Sequence, residues 1–189
     1  MSANQRPLDP EFERLLRRLK LGPLLGGLAE RLAHARQTHQ DPEDFLLALL
    51  SEEAQRRQQN SAALRAAKAG LQPDQVLDDW RWHTAVAYDR DLLKRLTTLQ
   101  FVRQHEHVCV LGPVGVGKTM LAQGLGHIAS RQGQSVAFHS AVKLFAQLKV
   151  ARVDQTHVQL MRHLCTVNLL ILDDFALHPM DATATVDMA

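Results

Sequence analysis

Cysteine is scarce in this chain of 189 residues: two occur, Cys109 and Cys165, each inside an apolar run (VCVL and LCTV). That excludes a disulfide scaffold of the secreted kind, and a cysteine-based zinc site would need ligands that the sequence does not cluster. His105 and His107 stand two apart with no third ligand at a zinc-like spacing. Long apolar runs are missing as well. The longest, Phe45 to Leu50 (FLLALL), falls far short of the roughly 20 residues a bilayer-crossing helix needs. The start, MSANQRPLDPEFERLL, has no apolar stretch of the signal-peptide type. Charge of one sign is not in excess: 22 Lys and Arg against 20 Asp and Glu leave a formal +2. That balance excludes a histone-like binder but allows a local basic patch. Together these gaps predict a protein of the reducing cytoplasm with no membrane partner. Hydrophobic residues make up 46%, the globular average, which suffices for a core that hides roughly 70% of the unfolded surface. The length fits one domain, or one domain preceded by a smaller module.

The first half reads as successive helices. Phe12, Leu15, Leu16 and Leu19 recur at helical spacing before Gly22-Pro23 break the segment, and a second helix is expected from about Leu24 to Arg36. Asp41 as N-cap, Pro42 at the first helical position and Asp44 at the capping-box position open a third, which continues through LLALLSEEAQRRQQ. Alanine-rich SAALRAAKA follows, closed by Gly70. The second half alternates. A helical stretch from Asp89 to Gln104 leads to a strand at His107 to Leu111, then a Gly-rich loop and a helix from Thr119 to Ser130. The strand SVAFH (135–139), two helices (141–151 and 155–165) and the strand NLLILD (168–173) complete it. Unbroken apolar strands between helices imply an α/β fold with a parallel sheet covered on both faces. The division between halves is expected within 72–87.

Residues 112–119, G-P-V-G-V-G-K-T, match the phosphate-loop pattern G-x-x-x-x-G-K-[ST] without a mismatch, between an apolar run and a helix-forming one. The chemistry needs these residue types. Gly115 and Gly117 let the backbone curl so that successive amides face phosphate oxygens, and the helix that follows adds its positive end. The expected nucleotide cradle is Gly112, Pro113, Val114, Gly115, Val116, Gly117, Lys118, Thr119 and Met120. Lys118 can reach the β- and γ-phosphates, and Thr119 can place its hydroxyl on Mg²⁺. The alternative is a Gly-rich turn that holds no ligand. The strand Leu169-Leu170-Ile171-Leu172 ends in Asp173 and Asp174, the first of them 55 residues after Lys118. Asp173 would be the metal-side carboxylate, and Asp174 the base that polarises the attacking water. Alone, two acids at a strand end could equally face solvent.

With both elements in hand, the chain resembles the IstB-like ATP-binding proteins, transposition helpers of bacterial insertion sequences and AAA+ relatives of the DnaC helicase loader. The resemblance runs from roughly Leu15 to Asp181. It rests on RRLKLGPLLGGLAERL, RRQQN, LLKRLTTLQFVRQHEHVCVLGPVGVGKT, GHIASRQGQSVAFHS and LLILDDFALHPM. It implies a P-loop NTPase fold of the AAA+ type over residues 76–189, with strands one to three, preceded over residues 1–75 by a helical module that binds DNA and partners. It also implies ATP and Mg²⁺ as ligands, with double-stranded DNA, a cognate transposase and further copies of the chain as partners. Alternatives are a DnaC-like helicase loader in replication, or an inactive remnant that retains only DNA or transposase binding.

The departures carry expectations of their own. In the family's sheet order, 5-1-4-3-2, the phosphate-loop strand lies between strands four and five. The sequence ends soon after its third strand, so the strand at 107–111 is expected to pair abnormally, with 168–173, or to be loosely held. Each buried backbone group left unmet costs about 1–3 kcal/mol. No Lys or Arg follows Arg162. The family's polar sensor, arginine finger and lid arginine would all lie later, and an arginine finger can be worth about 10³–10⁵ in turnover. Asp174 stands where many relatives carry Glu, and Ala176 where Gly is common. The expectation is an ATPase truncated in mid-domain and defective in hydrolysis. Between Ala54 and Gly70, Arg56, Arg57, Arg65 and Lys68 occur with no acid. They form either a phosphate-contacting face or an ordinary solvated one. Trp80 and Trp82, flanking Arg81, could stack on a base or on adenine, or pack between the halves.

Overall fold

The computed structural model describes residues 7–77 and 89–175, which form two compact units, one ending at Asn60 and the other beginning at Ser61. The expected division at 75/76 concerns which part does what and is a separate matter from this one.

In the first unit, α1 (Pro10–Arg18) starts where Asp9 accepts a hydrogen bond from the Glu11 amide at 2.8 Å. Acids in its first turn and arginines in its last suit the helix dipole. A 3-10 turn (Gly22–Leu25) and Gly27, with φ of 80°, delay α2 to Leu28–Gln37, four residues later than the sequence suggests. Asp41 caps α3 through the Glu43 and Asp44 amides at 2.8 and 3.4 Å. Its helix runs unbroken from Pro42 to Lys68, 27 residues, and so crosses from the first unit into the second. Leu16, Leu24, Leu28 and Leu49 form the first unit's core, with Leu8, Leu21, Leu25, Leu32 and Phe45 packed on it.

The second unit is α/β. After α3 come α4 (Arg90–Thr97), α5 (Gln100–Arg103), α6 (Lys118–Arg131), β1 (Val136–Ser140), α7 (Ala141–Val153), α8 (His157–Thr166) and β2 (Leu169–Asp173). Asp89 caps α4, and the single helix expected to Gln104 breaks at Leu99, which sits in the left-handed region (φ 57°) with its side chain fully buried. β1 and β2 pair in parallel, Val136 opposite Leu169 through Ser140 opposite Asp173. Period-two alternation divides β2 between two layers. Leu169 and Ile171 pack towards α6 and the C-terminal end of α3, and Leu172 packs on Leu144, Leu148 and Leu164 of α7 and α8. The outer side of β1 is closed by the chain after α3, where the Phe138 amide donates to the Ala69 carbonyl at 2.9 Å.

One expected strand is absent. Residues 106–113 have no regular structure, and Val108, Cys109 and Leu111 are exposed. A strand persists only where a neighbour completes its ladder. Among the described residues the sheet has two strands, and the segment 107–111 pairs with neither. Of the two outcomes expected, loose attachment is the one observed. No described helix is long and apolar enough to cross a membrane.

Candidate functional site

The loop 112–117 and the start of α6 form one turn. Gly115 (φ 83°) and Gly117 (φ 94°) occupy the left-handed region, which costs glycine little. Nothing lies within 4 Å of where a Gly115 side chain would begin, so the loop is open on that side. Gly117 caps α6, and its carbonyl accepts the Leu121 amide at 2.9 Å. The amides of Lys118, Thr119 and Met120 therefore lie ahead of the helical ladder, where an anion can take them. Val114 is 96% exposed, Pro113 is exposed, and Val116 and Met120 are half-buried.

β2 delivers the opposite wall. The Thr119 hydroxyl donates to Asp173, at 2.9 Å from Oδ2 and 3.2 Å from Oδ1. Residues 54 apart in sequence thus bring a hydroxyl and a half-buried carboxylate together, a hard oxygen pair of the kind Mg²⁺ prefers. Asp174 follows immediately, exposed and itself left-handed (φ 55°). The Lys118 ammonium is turned back on its own loop, donating to the carbonyls of Gly112 (2.9 Å) and Pro113 (2.7 Å). A triphosphate in this cradle would compete with those carbonyls for the ammonium.

The four basic candidates on α3 meet different fates. Arg56 grips Glu53 with both Nε (2.7 Å) and Nη2 (2.8 Å), and Arg57 Nε binds the same carboxylate at 2.7 Å. Arg57 also donates to the Lys20 carbonyl at 2.6 Å, fastening the end of α1 to α3. Glu53 is 3% exposed, and the two guanidiniums, Arg56 first, hold its carboxyl down to about 2. In the second unit, Arg65 Nε donates to the Ser130 carbonyl at 2.9 Å, one of the last carbonyls of α6, and Nη1 donates to the Ser61 hydroxyl at 2.6 Å. Lys68 is exposed. Trp80, Arg81, Trp82 and Ala176 lie outside the described residues.

The sequence reading missed two residues that seat α6. Gln123 is 1% exposed, and its Oε1 accepts the Gln72 amide at 2.8 Å. One turn on, His127 Nε2 lies 2.8 Å from the Gln72 carbonyl. A single polar side chain on the apolar face of a helix was the available signal.

Residues 14–188 match the family described as IstB-like ATP binding protein. A protein of Sinorhizobium fredii named for an insertion sequence and for ATP binding is 35% identical over 162 residues, 86% of this chain and 63% of that protein. A Mycobacterium tuberculosis protein similarly named is 32% identical over 180 residues, covering 95% and 72%. One named for the insertion sequence IS21 of Pseudomonas aeruginosa is 32% identical over 171 residues, covering 90% and 64%. The chain thus spans about two thirds of the length of these relatives.

Proposed function

The chain belongs to the IstB-like ATP-binding proteins, and from that premise we propose that it binds ATP·Mg²⁺ and acts as a helper of DNA transposition. The observation that supports this best is the meeting of Thr119 with Asp173 beside an open, glycine-turned loop. Amides of 115–120 would receive the β- and γ-phosphates. Lys118 would leave the Gly112 and Pro113 carbonyls for phosphate oxygens. Thr119 and Asp173 would hold Mg²⁺, which when bound neutralises phosphate charge. Asp174 would orient the attacking water. The oxygen donors present suit such an ion.

Double-stranded DNA, a cognate transposase and further copies of the chain are the partners proposed, in the cytoplasm. Turnover by this polypeptide is proposed to be weak. Among the described residues the loop is not tied to the sheet by a strand of its own, which leaves the phosphate cradle less firmly positioned. Among the basic candidates, Lys68 keeps the freest claim to a DNA phosphate, since Arg56, Arg57 and Arg65 already serve protein acceptors.

Equilibrium titration with a fluorescent ATP analogue tests the reading. Lys118→Ala should weaken binding by about tenfold or more, since an ammonium–phosphate contact is a charge-assisted one. Asp173→Asn should abolish the Mg²⁺-dependent part alone. Equal binding by wild type and Lys118→Ala refutes the assignment of the loop.

A further inference from the structure

The last residue of β1 is a serine that stands beside Asp173. Ser140 is opposite Asp173 in the parallel pairing of β1 with β2. Residues paired in this way share a face of the sheet. Two positions earlier in each strand, Phe138 and Ile171 pack in one cluster with Ala122 of α6. Alternation therefore puts Ser140 and Asp173 on the α6 side, the side from which Thr119 reaches Asp173. Ser140 is also the N-cap of α7, with the extended backbone that suits a cap (φ −69°, ψ 130°), yet its side chain makes no cap hydrogen bond. A serine at a cap ordinarily aims its oxygen at the second or third amide of the helix. Here the half-buried hydroxyl is left for another partner. Neighbouring strands lie about 4.8 Å apart, which puts that hydroxyl within direct or one-water reach of the Asp173 carboxylate. The carboxylate accepts from Thr119 and has lone pairs to spare.

We propose that Ser140 is a positioning residue for the metal side of the nucleotide site. Its hydroxyl donates to Asp173 from the neighbouring strand and fixes the carboxylate, leaving Thr119 to turn its oxygen to Mg²⁺. The inference rests on the ATP·Mg²⁺ reading above and adds a residue that touches neither nucleotide nor ion. Carboxylates that hold a metal are commonly oriented by outer partners of this kind, and losing one weakens the metal while the ligand's other contacts remain. A capping role would instead show in the stability of α7 and leave the metal alone.

Titrating Mg²⁺ into the full chain with a bound fluorescent ATP analogue reads the metal side, and binding of the same analogue in EDTA reads the rest. Ser140→Ala should raise the Mg²⁺ concentration at half-saturation by about tenfold. It should leave affinity in EDTA within about twofold of wild type, and the melting temperature within about 2 °C. Ser140→Thr, which keeps the hydroxyl and suits a strand, should restore most of the metal affinity. If Ser140→Ala titrates like wild type, Ser140 does not position Asp173, and the ATP·Mg²⁺ reading stands. The same holds if Mg²⁺ affinity falls only together with the melting temperature and Ser140→Thr does not restore it, since Ser140 is then a structural residue. If wild type shows no Mg²⁺-dependent binding at all, the ATP·Mg²⁺ reading fails and the role of Ser140 fails with it.

Discussion

Gly124→Ala is the sharpest probe of how α6 is seated. In an unobstructed helix interior, Gly to Ala stabilises by about 1 kcal/mol. At 124 the new methyl would collide with Cγ of Leu77, with Leu77 Cδ2 at 2.8 Å and the Leu77 amide nitrogen at 3.2 Å. Leu77 cannot retreat easily, because it is 6% exposed and packed with Leu99, Leu125 and Ala129. Overpacking of this kind costs about 1–3 kcal/mol. Set against the propensity gain, the net should be a loss of up to about 2 kcal/mol, or a melting temperature lower by up to about 8 °C for a chain of this size. Thermal melts followed by circular dichroism at 222 nm, with urea melts for the free energy, would measure it. Leu77→Ala added to Gly124→Ala should cost less than the sum of the two single changes, since the second change removes the collision. A melting temperature that rises with Gly124→Ala would refute the argument, because only the propensity term would then be acting.

Three further outcomes follow from side chains already placed. The Glu53 carboxyl titrates at about 2 in the fold against an ordinary 4.5, so the fold takes up its proton less readily than the unfolded chain. Its contribution to the first unit is complete above about pH 4.5 and is lost as pH falls towards about 2; urea melts of wild type should weaken through that window, and those of Glu53→Gln should weaken less, because Glu52, held down by its hydrogen bond to Arg31, still titrates there. Arg65→Ala should lower stability by about 1–2 kcal/mol through the lost bond to the Ser130 carbonyl; if it lowers DNA affinity with no loss of stability, Arg65 is a phosphate ligand instead. Gln123→Met should cost about 0.5–1.5 kcal/mol in urea melts, because it removes the acceptor of the Gln72 amide.

Much of this fold could be read from local signals. Asp9-Pro10, Asp41-Pro42 and Asp89 mark helix starts because a carboxylate there meets free amides, and such chemistry needs no distant partner. The runs at 136–140 and 169–173 are apolar and bounded by helices, and they pair as expected. The run at 107–111 looks no different in composition but forms no strand, because a strand depends on what lies beside it and the sequence does not write that locally. Leu99 was equally opaque, since only tertiary burial explains a left-handed leucine. At the site, the loop and the two aspartates were legible from spacing, whereas the retreat of Lys118 onto loop carbonyls was not. The ion pairs of Arg56 and Arg57 were legible too, one residue outside the stretch considered. A count begun at Ala54 finds no acid, yet Glu53 sits three and four positions ahead of Arg56 and Arg57, where a helix brings opposite charges together.

The bond from the Phe138 amide to the Ala69 carbonyl makes the little sheet one-sided. Gly70 lies against the Phe138 carbonyl as well, so both polar groups of that residue are turned to the chain leaving α3. An incoming extended peptide would find that flank sealed. Among the described residues the free flank is that of β2, so whatever widens the sheet would have to pair with the strand whose last residue, Asp173, meets Thr119.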